Sequence, residues 1–268
     1  SAAGFADIDE CAFVAGIIRG RHLAKEAVTP TFIHDSFNHA EARVLKHLCD
    51  ALEDIEEWFC ERVDDGHRCE TCLRGDAPRL GPHGHLPTVE GLIFLDIWHI
   101  SIPEFKTGFR AAVGTTHAAS KFRKSVRVGH KSDAVEALEI IFAFYNSVGK
   151  PVTWVHTDNA GELKGSNVAL MCKGKSIRIT TINVGRGRQN PQEPTWRASG
   201  AVMRKELLQS LLPYNFYGHA FDHGEQGSNL MPSRSPPYDC ALGRLLSTAT
   251  KTVKPRGAFR RPFGALCY

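Results

Sequence analysis

The chain has 268 residues with 33 Lys and Arg against 29 Asp and Glu, a formal charge of +4 that excludes neither a nucleic-acid partner nor a neutral one. Its 8 cysteines are too sparse for a secreted disulfide scaffold, and no apolar run approaches the roughly 18 residues needed to span a bilayer. The start lacks a signal-peptide pattern, so an intracellular, reducing setting is expected.

The charge is unevenly spread. Residues 1–78 carry 16 acidic against 8 basic side chains, and the rest carries 25 basic against 13 acidic. A basic body suits a phosphate backbone, whose contacts give salt-dependent affinity without sequence preference.

In chain order, residues 1–30 read as a leader. Residues 31–60 read as helical, with Val44, Leu45, Leu48, Leu52, Ile55 and Phe59 at helical spacing and an acidic outer face. This segment carries His34 and His39, which a helix would present on one face; Cys69 and Cys72 follow. Two imidazoles and a Cys-x-x-Cys pair supply four borderline ligands, which suits one tetrahedral structural zinc, with His67 as a rival ligand. The module is bounded at 31–78. Pro78, Gly81, Pro82, Gly84 and Pro87 mark a linker over 79–90, in which His83 and His85 read as exposed loop residues.

Strands are expected at 91–98, 108–116 and 123–129. A helix over 133–148 follows, with Asp133 and Glu136 as a capping box and Val135, Leu138, Ile141, Phe142 and Tyr145 as its core stripe. Gly149 and Pro151 end it, and a strand over 152–158 returns parallel to the first. Three strands, a helix, a strand and further helices are the pattern of an α/β ribonuclease H-like core, assigned to 91–225. A basic extension, 226–268, carries Lys251, Lys254, Arg256, Arg260 and Arg261 without an acid among them.

Three carboxylates stand out in this core. Asp96 interrupts Leu92-Ile93-Phe94-Leu95-Asp96-Ile97-Trp98, and Asp158 closes Val152-Thr153-Trp154-Val155-His156-Thr157-Asp158. Glu193 lies thirty-five positions on, at the start of a helix. A carboxylate in a buried strand is costly unless it is paired or holds a cation. Three converging on rigid elements make a site for two divalent cations, Mg2+ or Mn2+, the arrangement that stabilises both oxygens of an in-line phosphoryl displacement. Pro194 is tolerated in a first helical turn. In that helix Trp196, Met203, Leu207 and Leu211 are expected to pack inward. Arg186 and Arg188 lie before it and Arg197, Arg204 and Lys205 within it, facing out as candidate DNA contacts. Glu162 is the substitute carboxylate. Gly174-Lys175-Ser176 ends like a phosphate-binding loop but lacks the upstream glycine, so no nucleotide cofactor is expected.

Together these residues resemble a retroviral-type integrase, and within that group the integrase region of copia-type LTR retrotransposon polyproteins. The segment from Phe32 through His34 and His39 to Leu48 is similar to the family's pre-integrase module, and Cys69-Glu70-Thr71-Cys72-Leu73-Arg74-Gly75 to its end. His156-Thr157-Asp158-Asn159-Ala160-Gly161-Glu162, Gln189-Asn190-Pro191-Gln192-Glu193 and Arg260-Arg261-Pro262-Phe263-Gly264-Ala265-Leu266-Cys267-Tyr268 also resemble family segments. The resemblance spans about residues 32 to 268.

It implies a mixed five-stranded sheet with flanking helices, preceded by a small helical zinc-binding domain. It also implies an Asp96, Asp158, Glu193 site for two Mg2+ or Mn2+ ions that trims cDNA ends and transfers them into target DNA. The partners implied are double-stranded DNA and further copies of the chain, with no membrane. The setting implied is the nucleus and a cytoplasmic virus-like particle, as part of a longer polyprotein. The alternative is an integrase-fold remnant that binds nucleic acid without catalysis, because the spacing before Glu193 is one residue short and Pro194 replaces an Arg. A general nuclease of the same fold leaves the His-His-Cys-Cys set unexplained.

Overall fold

The computed structural model describes residues 28–67, 69–75, 88–157, 166–181, 192–234, 236–256 and 263–264. Residues 1–27 of the leader, His83 and His85, Asp158, Glu162, Arg186, Arg188 and the tail residues Arg260 and Arg261 lie outside them.

The core is a five-stranded mixed sheet in the order β3-β2-β1-β4-β5. Its strands are β1 (Leu92–His99), β2 (Ala111–His117), β3 (Arg123–Val128), β4 (Trp154–Thr157) and β5 (Arg178–Thr181). β1, β2 and β3 form an antiparallel meander. β4 lies parallel to β1, and β5 parallel to β4. Short turns can join antiparallel neighbours, whereas each parallel pair needs a helical crossover. The crossovers are a helix over Ala134–Ser147 before β4 and one over Ser166–Gly174 before β5. This is the ribonuclease H-like arrangement expected from the pattern of elements, and each of the expected strands forms, within three residues of its expected bounds.

The helix over Ala134–Ser147 buries Ala134, Ala137, Leu138, Ile141, Phe142 and Tyr145 against Ile93, Leu95, Val113 and Val155, with Val135 only partly buried. Its capping box does not form. A 3-10 turn over Lys131–Asp133 leads into the helix, so Asp133 has φ −80°, ψ 3° rather than an extended cap conformation. Its carboxylate turns back to accept from the His130 N–H at 2.9 Å.

The segment expected as one helical stretch over 31–60 is instead four short helices: α1 (Pro30–Ser36), α2 (Ala42–Leu45), α3 (Leu48–Ala51) and α4 (Glu57–Glu61). A fifth, α5 (Glu70–Gly75), carries the Cys pair. The remaining helices take the labels α6 (Ala134–Ser147), α7 (Ser166–Gly174), α8 (Gln192–Ser210), α9 (Tyr217–Leu230, across the expected boundary at 225) and α10 (Ala241–Leu246). Thr29 caps α1, its hydroxyl accepting from Phe32 N–H at 3.0 Å. The first break comes where Asn38 and His39 both take positive φ, 58° and 55°, which no α-helix allows. The apolar stripe survives these breaks: Leu45, Leu48, Leu52, Ile55 and Phe59 are buried in a core of their own, and Val44 is buried too.

The two cores are joined by the C-terminal part. Cys240 is buried with the helical module, while Ala241 and Leu245 of α10 are buried with the sheet, and Leu242 packs against both. Among the described residues, no helix is long and apolar enough to cross a membrane.

Candidate functional site

His34, His39, Cys69 and Cys72 come together. One ligand atom from each lies within 4.8 Å of the others. His34 Nε2 is 3.2 Å from Cys72 Sγ, and His39 Nδ1 is 3.5 Å from Cys69 Sγ. The two imidazoles do not share a helical face. His34 is in α1, and the left-handed backbone of Asn38 and His39 swings the second ring back across the first, edge to face with centroids 5.1 Å apart. Burial, with His39, His67 and Lys205 nearby, lowers the His34 pKa to about 4. Its imidazole is therefore neutral at physiological pH, the form that binds metals. Two imidazoles and two sulfurs within reach of one point fit a tetrahedral metal of the zinc type. His67 packs against His34, centroids 4.9 Å apart, but is not one of the four.

The module is seated on α8 and α9. Asn38 Nδ2 donates to Gly224 O at 2.7 Å and to Ser228 Oγ at 3.2 Å. His39 Nε2 lies 3.1 Å from Gln209 Oε1. This seating corrects one expectation. Lys205 does not face solvent; it is 8% exposed, because the face of α8 that carries it is covered by the module. Arg197 and Arg204 are exposed as expected.

Asp96 and Glu193 lie on elements packed against each other. Asp96 is half-buried in the middle of β1, its Oδ1 accepting from the Ile97 N–H at 2.8 Å. Its register partner on β2 is Gly114. Trp196 of α8 lies against that glycine so closely that a Cβ on Gly114 would fall 2.2 Å from Trp196 Cη2. A glycine inside a strand often marks such a close approach. Gln192, buried at the first position of α8, accepts from Thr116 Oγ1 at 2.6 Å. The turn that carries Glu193 is thus pinned to β2 at two points, one of them the neighbour of Asp96. Trp98 adds a third contact, its ring 5.6 Å from that of Trp196.

Glu193 is half-buried, and its carboxylate accepts a hydrogen bond from the Arg197 guanidinium one turn on. Pro194 sits in the first turn without breaking α8. Trp196, Met203 and Leu207 pack inward as expected. Leu211 does not. It lies past the end of α8 with φ 55° and is 89% exposed, since the chain turns away from the core there. Asp158 lies outside the described residues; Thr157 before it pairs with Leu95, the residue before Asp96. Gly174, Lys175 and Ser176 form the end of α7 and the turn into β5, with no glycine-rich phosphate loop.

Gln192, Gly114 and Gln209 were not singled out from sequence. Gly114 alone left a signal there, as a lone glycine within an apolar strand.

No protein-family model matches this sequence, and no curated protein is similar enough to it to count as a relative. Solved structures do match. The cryo-EM structure of the simian T-cell lymphotropic virus intasome in complex with PP2A regulatory subunit B56 gamma superposes with a TM-score of 0.52 at 17% identity, over 73% of this chain and 69% of that one. The HTLV-2 integrase catalytic core domain in complex with magnesium (trimeric form) covers 60% of this chain and 99% of its own at 16% identity, with a TM-score of 0.44 that is too low to argue from. At such identities the likeness concerns the fold alone: the chain carries an integrase-like, ribonuclease H-like core with a His-His-Cys-Cys cluster that could hold a metal.

Proposed function

We propose that the chain is the integrase region of a copia-type LTR retrotransposon polyprotein, which trims the element's cDNA ends and joins them to target DNA. The observation that carries this reading is the pairing, on one chain, of an integrase-like sheet with a His34, His39, Cys69, Cys72 cluster seated on the helix that bears Glu193. A general nuclease of this fold leaves that cluster without a role.

Asp96 and Glu193, with Asp158, would hold two Mg2+ or Mn2+ ions; oxygen ligands of this kind on rigid elements are what such hard cations take. Bound there, the ions would lower the pKa of the attacking hydroxyl and steady the leaving 3′ oxygen. The chain's own residues prepare the site. Gln192 and Trp196 fix the turn bearing Glu193 on β2, and Arg197 holds its carboxylate. Arg197 and Arg204, exposed on α8, would meet the DNA backbone together with Arg186 and Arg188. Double-stranded DNA and further copies of the chain are the partners in this reading, and the nucleus and a cytoplasmic particle its setting. A structural zinc on the four His and Cys ligands would fold and seat the module rather than act in chemistry.

One observation favours a second reading, a nucleic-acid-binding remnant. The Glu193 carboxylate already accepts from Arg197, and a cation would have to share it. Strand transfer separates the two, with Mg2+ or Mn2+ and a short recessed-end duplex, on wild type and Glu193→Gln in parallel. Products longer than the input, absent with Glu193→Gln, support the integrase. Salt-sensitive DNA binding with no products from either protein supports the remnant.

A further inference from the structure

His39 is gripped on both sides of its ring. Nδ1 faces Cys69 Sγ at 3.5 Å, among the ligand atoms, while Nε2 faces Gln209 Oε1 at 3.1 Å, and no part of the side chain is exposed. An amide oxygen only accepts, so this contact requires the hydrogen on Nε2 and turns the Nδ1 lone pair toward the ligand atoms. Asp35 offers the opposite arrangement: its Oδ1 is 3.5 Å from Nδ1 and would draw the hydrogen there. The two acceptors therefore compete for the tautomer, and only the Gln209 contact leaves a ligand. Metal-bound imidazoles almost always donate their second ring N–H in this way, and loss of the acceptor weakens binding.

Gln209 comes from far along the chain. It lies in the last turn of α8, the helix whose first turn bears Glu193 and is pinned to β2 by Gln192 and Trp196. Lys205, one turn before Gln209, is buried against the same module.

We propose that Gln209 is a positioning residue for the metal centre: it fixes His39 as an Nδ1 ligand and ties metal occupancy to the order of the helix that bears Glu193. This rests on reading the cluster as a zinc site. Zinc on the module and order at the C-terminal turn of α8 then rise and fall together, because the ligand's tautomer is set from that turn.

The test uses the whole chain. Zinc affinity is read by competition with a chromophoric chelator, for wild type, Gln209→Leu and Gln209→Glu. Removing the acceptor is expected to weaken zinc about 10- to 100-fold, and the glutamate, which keeps an acceptor oxygen, to return it to near wild type. Hydrogen exchange in the last turn of α8 is expected to slow on zinc addition in wild type and Gln209→Glu, and not in Gln209→Leu. Long-range 1H–15N spectra of the zinc-loaded wild type, which need no variant to fold, are expected to show His39 bound through Nδ1. Binding through Nε2, or wild-type zinc affinity in Gln209→Leu, overturns the proposal and leaves the zinc reading standing. A wild-type chain that takes up no zinc overturns both.

Discussion

The contact between Gly114 and Trp196 is the sharpest test of how the first turns of α8, which bear Glu193, are held against the sheet. In Gly114→Ala the new methyl would lie 2.2 Å from Trp196 Cη2, 2.4 Å from Cζ2 and 3.0 Å from Ser125 Oγ. The ring must move, and because Trp196 is only 6% exposed, α8 must move with it. Overpacking of this kind costs about 1–3 kcal/mol, less the roughly 0.5–1 kcal/mol that alanine regains over glycine in a strand. Trp196→Phe removes part of the colliding ring system at a cost of about 1–2 kcal/mol, a fraction of full truncation. The double variant should therefore cost less than the sum, by about 1 kcal/mol or more. Urea unfolding followed by far-ultraviolet circular dichroism measures the cycle. Strand transfer should fall in Gly114→Ala and recover in part in the double variant. Additive costs within about 0.5 kcal/mol would refute the reasoning, because the two residues would then not be in contact.

Two further outcomes are expected. Glu225 is half-buried against β3, with Ser125 N–H and Oγ–H donating to it, and loss of solvent lifts its pKa to about 7 from an ordinary 4.5. Between those values the folded chain keeps a proton that the unfolded chain has released. Stability should thus fall as pH rises from about 4.5 to 7 and level off above that. The pH-dependent part amounts to about 3 kcal/mol, and it should vanish from the urea midpoints of Glu225→Gln. Arg127 bonds the buried Glu104 and, at 2.8 Å, Asp222. Arg127→Met leaves Glu104 with Thr107 as its close donor and should cost about 3–5 kcal/mol in urea; a loss under about 1 kcal/mol would mean that Glu104 is held without it.

The sheet was legible because its signals are local. Leu92 to Trp98 is an apolar run interrupted by one acid, and the stripe from Leu138 to Tyr145 has a period that only a helix satisfies. The ligand set was legible from residue types, and the four side chains meet. What stayed hidden depends on contacts between distant segments. Apolar spacing over 31–60 has the same period whether or not the chain breaks, so nothing in it announces the left-handed Asn38 and His39. Lys205 looked like an outward cation because only the folded chain shows what covers that side of α8. Gln209 follows 170 positions after the histidine it touches, and glutamine in a helix gives no signal of such a role.

The sharing of α10 between two cores has a thermodynamic consequence. Cys240 is sealed into one apolar cluster while Ala241 and Leu245, within the next five positions, are sealed into the other, and six residues of helix leave no slack between them. Neither cluster can open without pulling on the other, so the His-Cys module and the sheet form one cooperative unit. Heating should melt both in a single calorimetric transition, and whatever binds the module stabilises the sheet through the same helix.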